Sequence, residues 1–199
     1  MTSGIQKAWE NLAVCVPGEV CMRAAVRYDE EQKSFVVSSF GQDVFVCPEA
    51  RTLRSRTPAG ERMLTRFGYF ASLVIVSYLA QARMVAPSGH WVKPTDLRSG
   101  DIYYKGSHIL PLDQLSKSYE GRLSDFVAHG ELLGGTPLSF GDVSVKLDPL
   151  PRIPMAVIVW KTDDEFPGRA DLLLDSTCEL HMPADLVWST AMLSVLMMT

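Results

Sequence analysis

No two cysteines in this chain stand at a C-x-x-C spacing. The four lie at Cys15, Cys21, Cys47 and Cys178, too scattered for a zinc knuckle, an iron–sulfur cluster or a dithiol redox site. They read as small buried apolar residues. Positive charge is also scarce. A formal net charge of −4 argues against broad nucleic-acid binding, which needs a concentrated basic face. No apolar run reaches the ~20 residues of a membrane span. The longest, Phe67 to Ala82, is interrupted by Tyr69, Ser72, Ser77, Tyr78 and Gln81. The opening MTSGIQKAWENL has no basic stretch followed by an apolar one, so a secretory signal is not expected and a cytoplasmic location is. Gly134-Gly135 lacks the further spacing of a phosphate-binding loop. Internal repeats and low-complexity tracts are missing as well.

What remains is ordinary globular material. The chain has 199 residues, 47% apolar and 21% charged, enough for one domain over 1–199 with a core that needs no staples. Periodicity predicts helices over Ile5–Val14 and Gly18–Ala25. Ala25–Tyr28, Phe35–Phe40 and Val44–Cys47 read as an antiparallel meander, with Gly41-Gln42-Asp43 as a turn. Arg51–Arg62 reads as a loop or short edge strand, and Met63–Arg83 as one helix, apolar all round and therefore central. Leu112–Leu133 reads as mainly helical, closed by Gly134-Gly135. Gly141-Asp142 opens a strand through Leu147, and Pro149, Pro151 and Pro154 read as a stiff connector. Ile153–Trp160 and Ala170–Leu174 are buried strands around an acidic loop. Pro183 and Asp185 suit the first turn of a last helix. The expected fold is α+β, a mostly antiparallel sheet packed against a central apolar helix and a C-terminal helix.

Several segments occur in an order that resembles a known family. They are Ser88-Gly89-His90-Trp91-Val92, Gly100-Asp101-Ile102-Tyr103-Tyr104, Leu133-Gly134-Gly135, Gly141-Asp142, Leu150-Pro151-Arg152-Ile153-Pro154, and Trp160 through Asp175. Together they resemble the domain-of-unknown-function family thirty-seven eighty-six, mostly from anaerobic bacteria and archaea. The family's usual Leu-Phe-Asp is Leu173-Leu174-Asp175 here. The resemblance implies a setting in anaerobic metabolism, with corrinoid or one-carbon chemistry as a pointer. It implies no activity.

Asp163-Asp164-Glu165 is the first candidate site. Three adjacent carboxylates repel one another, and Mg²⁺ or Ca²⁺ would relieve that. The competing reading is a solvated turn with Lys161 and Arg169 as counter-charges. If the flanking strands pair as a simple hairpin, Asp175 falls near Ala156, roughly 20 Å from Asp163 at ~3.3 Å per residue, and the two acidic positions form separate sites. Asp175, Ser176 and His181 can meet as an acid–hydroxyl–imidazole group, but turn-backbone bonding by Asp175 and Ser176, with His181 half-buried, is the favoured reading. His90 and Trp91 follow a turn of small residues. Trp91 and Trp160 are candidates for an aromatic wall around a flat ligand, against a plain core role. His108 and His129 stand alone. The arginines at 51, 54, 56, 62 and 66 read as a solvated edge, with a phosphate or acidic partner as the alternative.

The expected function is an accessory protein that binds a planar cofactor or a protein partner near Trp91, Trp160, His90, Asp175 and His181. The alternative is a metal-assisted enzyme using Asp163, Asp164 or Glu165 as ligands and His90 or His181 as acid–base. A third reading is a structural subunit assembled through its C-terminal helix. The cofactor, and any catalytic residue, stay open.

Overall fold

A computed structural model describes residues 4–98 and 109–199. The Gly100–Tyr104 motif and His108 therefore lie outside the described residues. The N-terminal helix α1 (Gly4–Ala13) buries Ala8, Trp9 and Leu12 on one face, the i, i+4 stripe its sequence announces. Helix α2 (Pro17–Ala24) starts on a proline and ends where Ala25 turns left-handed at φ 53°. A four-stranded antiparallel meander follows, β1 (Arg27–Asp29), β2 (Ser34–Ser39), β3 (Gln42–Cys47) and β4 (Thr52–Ser55), paired in chain order. The β2–β3 turn is Phe40-Gly41, one step earlier than expected, and both residues have positive φ. That conformation is costly for phenylalanine. Complete burial of the Phe40 ring offsets the cost.

The single helix expected over Met63–Arg83 is two helices, α3 (Pro58–Arg66) and α4 (Gly68–Gln81), bent by 103°. Thr57-Pro58 explains the early start. The Thr57 side chain accepts a hydrogen bond from the Gly60 amide at 3.0 Å, and proline is tolerated in the first turn. Phe67 at φ −121° leaves helical geometry, and Gly68 opens the next helix. Helix α4 is central as expected, with Val74 through Leu79 buried. No single helix among the described residues is long and apolar enough to cross a membrane.

The second sheet has five strands in the order β5 (Trp91–Val92), β9 (Arg169–Asp175), β8 (Ile153–Trp160), β7 (Val143–Leu150) and β6 (Thr136–Leu138), all antiparallel. The prolines do not form a separate connector. Pro149 and Pro154 lie inside β7 and β8, which join through Pro151-Arg152 with a shift in register after Leu147. Strand β8 is buried along its length apart from Trp160, as a strand covered on both faces must be. One face meets the C-terminal helix α8 (Ala184–Met197), which packs in turn on α4, through a core that includes Met155, Val157, Val187 and Leu193. The region expected as one helix over Leu112–Leu133 is α5 (Leu112–Ser118) and α6 (Leu123–Leu132), separated at Gly121, φ 70°. The short α7 (Cys178–His181) leads into α8. Contrary to expectation, only Cys178 is buried; Cys15, Cys21 and Cys47 are partly exposed, and all four are free thiols.

The two sheets meet at a turn against a turn. The Phe40 amide donates to Asp148 O at 3.0 Å. Gly134, at φ 71°, sits so close that an added Cβ would lie 2.7 Å from Gly41 Cα. Gly134→Ala is therefore expected to cost about 2 kcal/mol, from the left-handed backbone and the clash together. A urea midpoint unchanged from wild type would refute this.

Candidate functional site

The outer face of the five-stranded sheet carries the sequence-singled residues, at its two ends. Trp91 pairs with Asp175 and Trp160 with Arg169, so the four share one face by strand alternation. Six residues of β9 separate the pairs, roughly 20 Å at ~3.3 Å per residue. The hairpin geometry thus holds, and the acidic loop and Asp175 are separate. Trp91 and Trp160 are both partly exposed, so neither is a core tryptophan, and they do not face each other across one cavity.

At the first end, Asp175 is fully buried. One oxygen accepts from the Ser88 amide at 3.1 Å, the Thr177 amide at 3.0 Å and Thr177 Oγ1 at 2.6 Å. The other accepts from the Gly89 amide at 2.7 Å and Ser88 Oγ at 3.2 Å. Burial pushes this carboxyl up, but the hydrogen bonds from Thr177, Ser88 and Gly89 outweigh it and hold the group below its ordinary value. Ser176 completes the tie. Its amide donates to His90 O at 2.9 Å and its hydroxyl meets Ser88 Oγ at 2.9 Å. Asp175 and Ser176 therefore pin the segment before β5 to the end of β9. The His90 side chain is exposed.

His181 does not join Asp175 and Ser176 in hydrogen bonding. It is fully buried rather than half-buried. Its Nδ1 accepts the Arg83 amide at 3.3 Å and its Nε2 has no partner among the described residues. Burial first, then the positive charge of Arg152, lowers its pKa. Arg152, which sequence reasoning passed over except as part of a motif, donates to Arg23 O at 2.8 Å, Val85 O at 3.2 Å and Met22 O at 3.2 Å. Beside it Tyr78 donates to Ala24 O at 2.8 Å, and burial raises its pKa. The buried Cys178 thiol is pushed up to about 12 by desolvation, so it is not a thiolate nucleophile.

At the other end, Asp163 is engaged by its own turn. Its Oδ1 accepts the Glu165 and Phe166 amides at 2.9 and 2.7 Å. Those bonds lower its pKa. Asp163, Asp164 and Glu165 are exposed, and no group of three or more metal-ligating side chains is arranged to hold an ion among the described residues.

The adjoining sheet surface is different. A hollow of about 410 Å³ opens on the outer face, lined by Ile158, Trp160, Phe140, Leu110, Lys93 and Arg169 among others. Ile158 and Trp160 make its floor apolar, and Gly141, at φ 59°, packs so close to them that a Cβ would sit 2.5 Å from Ile158 and 3.2 Å from the indole. The indole N–H donates to Asp171 Oδ2 at 2.8 Å, which fixes the ring. Arg169 lies over the ring, its guanidinium carbon 4.6 Å from the centroid. Lys93 adds a second positive group. Trp160 was legible as a candidate; Lys93, Phe140, Gly141 and Asp171 were not, because they come from three separate segments, Phe140 and Gly141 being neighbours.

Comparison with known proteins gives a family and nothing narrower. No curated protein and no solved structure matches the chain. The sequence profile of DUF3786, a domain of unknown function, matches residues 17–197. Spanning that profile from α2 to the end of α8, the chain belongs to the family DUF3786.

Proposed function

We propose that this chain is an accessory binding protein whose ligand is a planar, fused-ring anion seated in the hollow beside Trp160. The supporting observation is the combination of an apolar floor, a hydrogen-bonded indole and two cations on one concave surface, with Asp171 in the same lining paired to Arg169 at 3.5 Å. Small-molecule sites have this composition, mostly apolar with a few placed polar groups. The half-exposed Arg169 guanidinium is the flat layer such a ligand meets, and Lys93 neutralises its charged edge.

Size decides among planar ligands. The 410 Å³ hollow lies near the bottom of the roughly 300–1,000 Å³ span of drug-sized sites. It suits a bicyclic or tricyclic ring system better than a whole tetrapyrrole. A corrinoid, the ligand that an anaerobic one-carbon setting suggests, would seat only an edge there.

Titration with flavin mononucleotide, protoporphyrin and cobalamin, followed by tryptophan emission, tests the reading. Saturable quenching by the flavin is expected, weakened at least tenfold in Trp160→Ala. The proposal fails if none of the three binds at millimolar concentration, or if Trp160→Ala binds as tightly as wild type.

A further inference from the structure

A second cleft, on the far side of the core, shares no lining residue with the hollow at Trp160. It measures about 750 Å³ and lies between α3, α6 and the end of α8. Met63, Phe67, Leu132, Leu133 and Met197 make it apolar. Arg62 and Arg66 line it from one face of α3, four residues apart. Among the described residues neither has an acidic partner: the six ion pairs formed there involve other side chains. Arg66 instead lies over the Phe67 ring, 4.9 Å from its centroid. Glu61, the acid at the rim, has a carboxylate oxygen already accepting from the Ser55 amide at 2.6 Å.

The third polar group is His129, and its proton can be placed. Tyr119 Oη lies 2.7 Å from Met198 O and 2.6 Å from His129 Nδ1. A carbonyl only accepts, so the single phenolic proton goes to Met198 O. His129 Nδ1 must then carry a hydrogen and donate it to Tyr119. Nε2 is left with its lone pair and makes no hydrogen bond among the described residues. Adding a proton there breaks nothing, since the Nδ1–H to Tyr119 bond survives in the imidazolium. Burial first, then the positive charge of Arg66, lowers its pKa, and an anion bound between the arginines would offset the second of these.

We propose that this cleft is a binding site for a phosphate monoester with an apolar body, held by Arg62 and Arg66 and, through a proton taken up on binding, by His129. Two guanidinium groups and an imidazolium match a tetrahedral dianion, whereas one guanidinium satisfies a carboxylate. The apolar walls take the ester's organic group. The charged or titratable side chains around the imidazole are Glu61, Arg62 and Arg66 on α3, Tyr119 just past α5, and the Arg122–Asp125 pair at the start of α6; Met197 on α8 and Thr199 just past it line the cleft with side chains that do not titrate.

Phenyl phosphate is the probe, with benzoate and inorganic phosphate as comparisons, followed by the His129 ring resonances in NMR titrations from pH 5 to 8. Phenyl phosphate should saturate, raise the pH midpoint of His129, and bind more weakly as pH rises through that new midpoint. Arg62→Met/Arg66→Met should weaken it at least tenfold; both positions are exposed, and an unchanged melting temperature verifies that the variant is folded. Benzoate binding as tightly would overturn the phosphate assignment. Inorganic phosphate binding as tightly would overturn the apolar half. An unmoved His129 midpoint, or full affinity in the double variant, would overturn the site.

Discussion

Asp175→Asn is expected to destabilise the fold by about 3 kcal/mol, read as a lower urea midpoint at unchanged slope. Both carboxylate oxygens are acceptors for N–H or O–H groups of Ser88, Gly89 and Thr177. Asparagine offers only one acceptor oxygen, and its NH₂ must face a donor in a site with no solvent exposure. The same variant should change the acid limb of stability. Because the folded carboxyl is held below its ordinary value, the unfolded chain binds the proton first on acidification. Its stabilisation is complete above about pH 4 and is lost as the pH falls through the depressed folded value. Asp175→Asn removes that dependence. A loss below about 1 kcal/mol would show that the turn before β5 does not hang on this side chain.

Arg152→Met is expected to cost a similar amount, about 3 kcal/mol. The methionine keeps much of the apolar stem but leaves Met22 O, Arg23 O and Val85 O without their charged donor. Hydrogen bonds to charged groups contribute about 1.5–3 kcal/mol each; Arg152 is partly exposed, and water regains some of the carbonyls. The variant has a second signature. The depressed His181 pKa makes the folded chain refuse a proton that the unfolded chain accepts, so stability falls as pH drops below about 6.5. Arg152 contributes to that depression after burial. Its removal should flatten the slope below about pH 6.5. If Arg152→Lys retains both stability and slope, charge alone suffices and the three-carbonyl geometry is incidental.

The contrast between Asp175 and Trp160 shows what a linear reading reaches. Local patterns placed the meander, the β8–β9 hairpin and the last helix, because each is fixed by alternation or capping within a few residues. The break at Phe67 escaped, since Phe67-Gly68 is apolar and carries no proline; only the neighbours of the two helices decide that they part. Asp175 was recognisable as a turn carboxylate, yet its partners Ser88 and Gly89 lie 86 or more positions away, and no spacing announces them. Asp163 gave the opposite error of emphasis: the run of three acids is conspicuous, but its first member serves the loop that contains it. The hollow at Trp160 draws on Lys93, Leu110, Phe140 and Arg169, which only tertiary structure assembles.

Strand β5 covers just Leu174 and Asp175 of its neighbour. Along Arg169–Leu173 no other described strand lies on the outer side of β9, and Arg169, Asp171, Leu172 and Leu173 all border the hollow. A ligand seated there as proposed would meet peptide groups as well as side chains. Peptide groups survive every substitution but proline, so the proposed recognition at that margin would be insulated from drift in the residues around it.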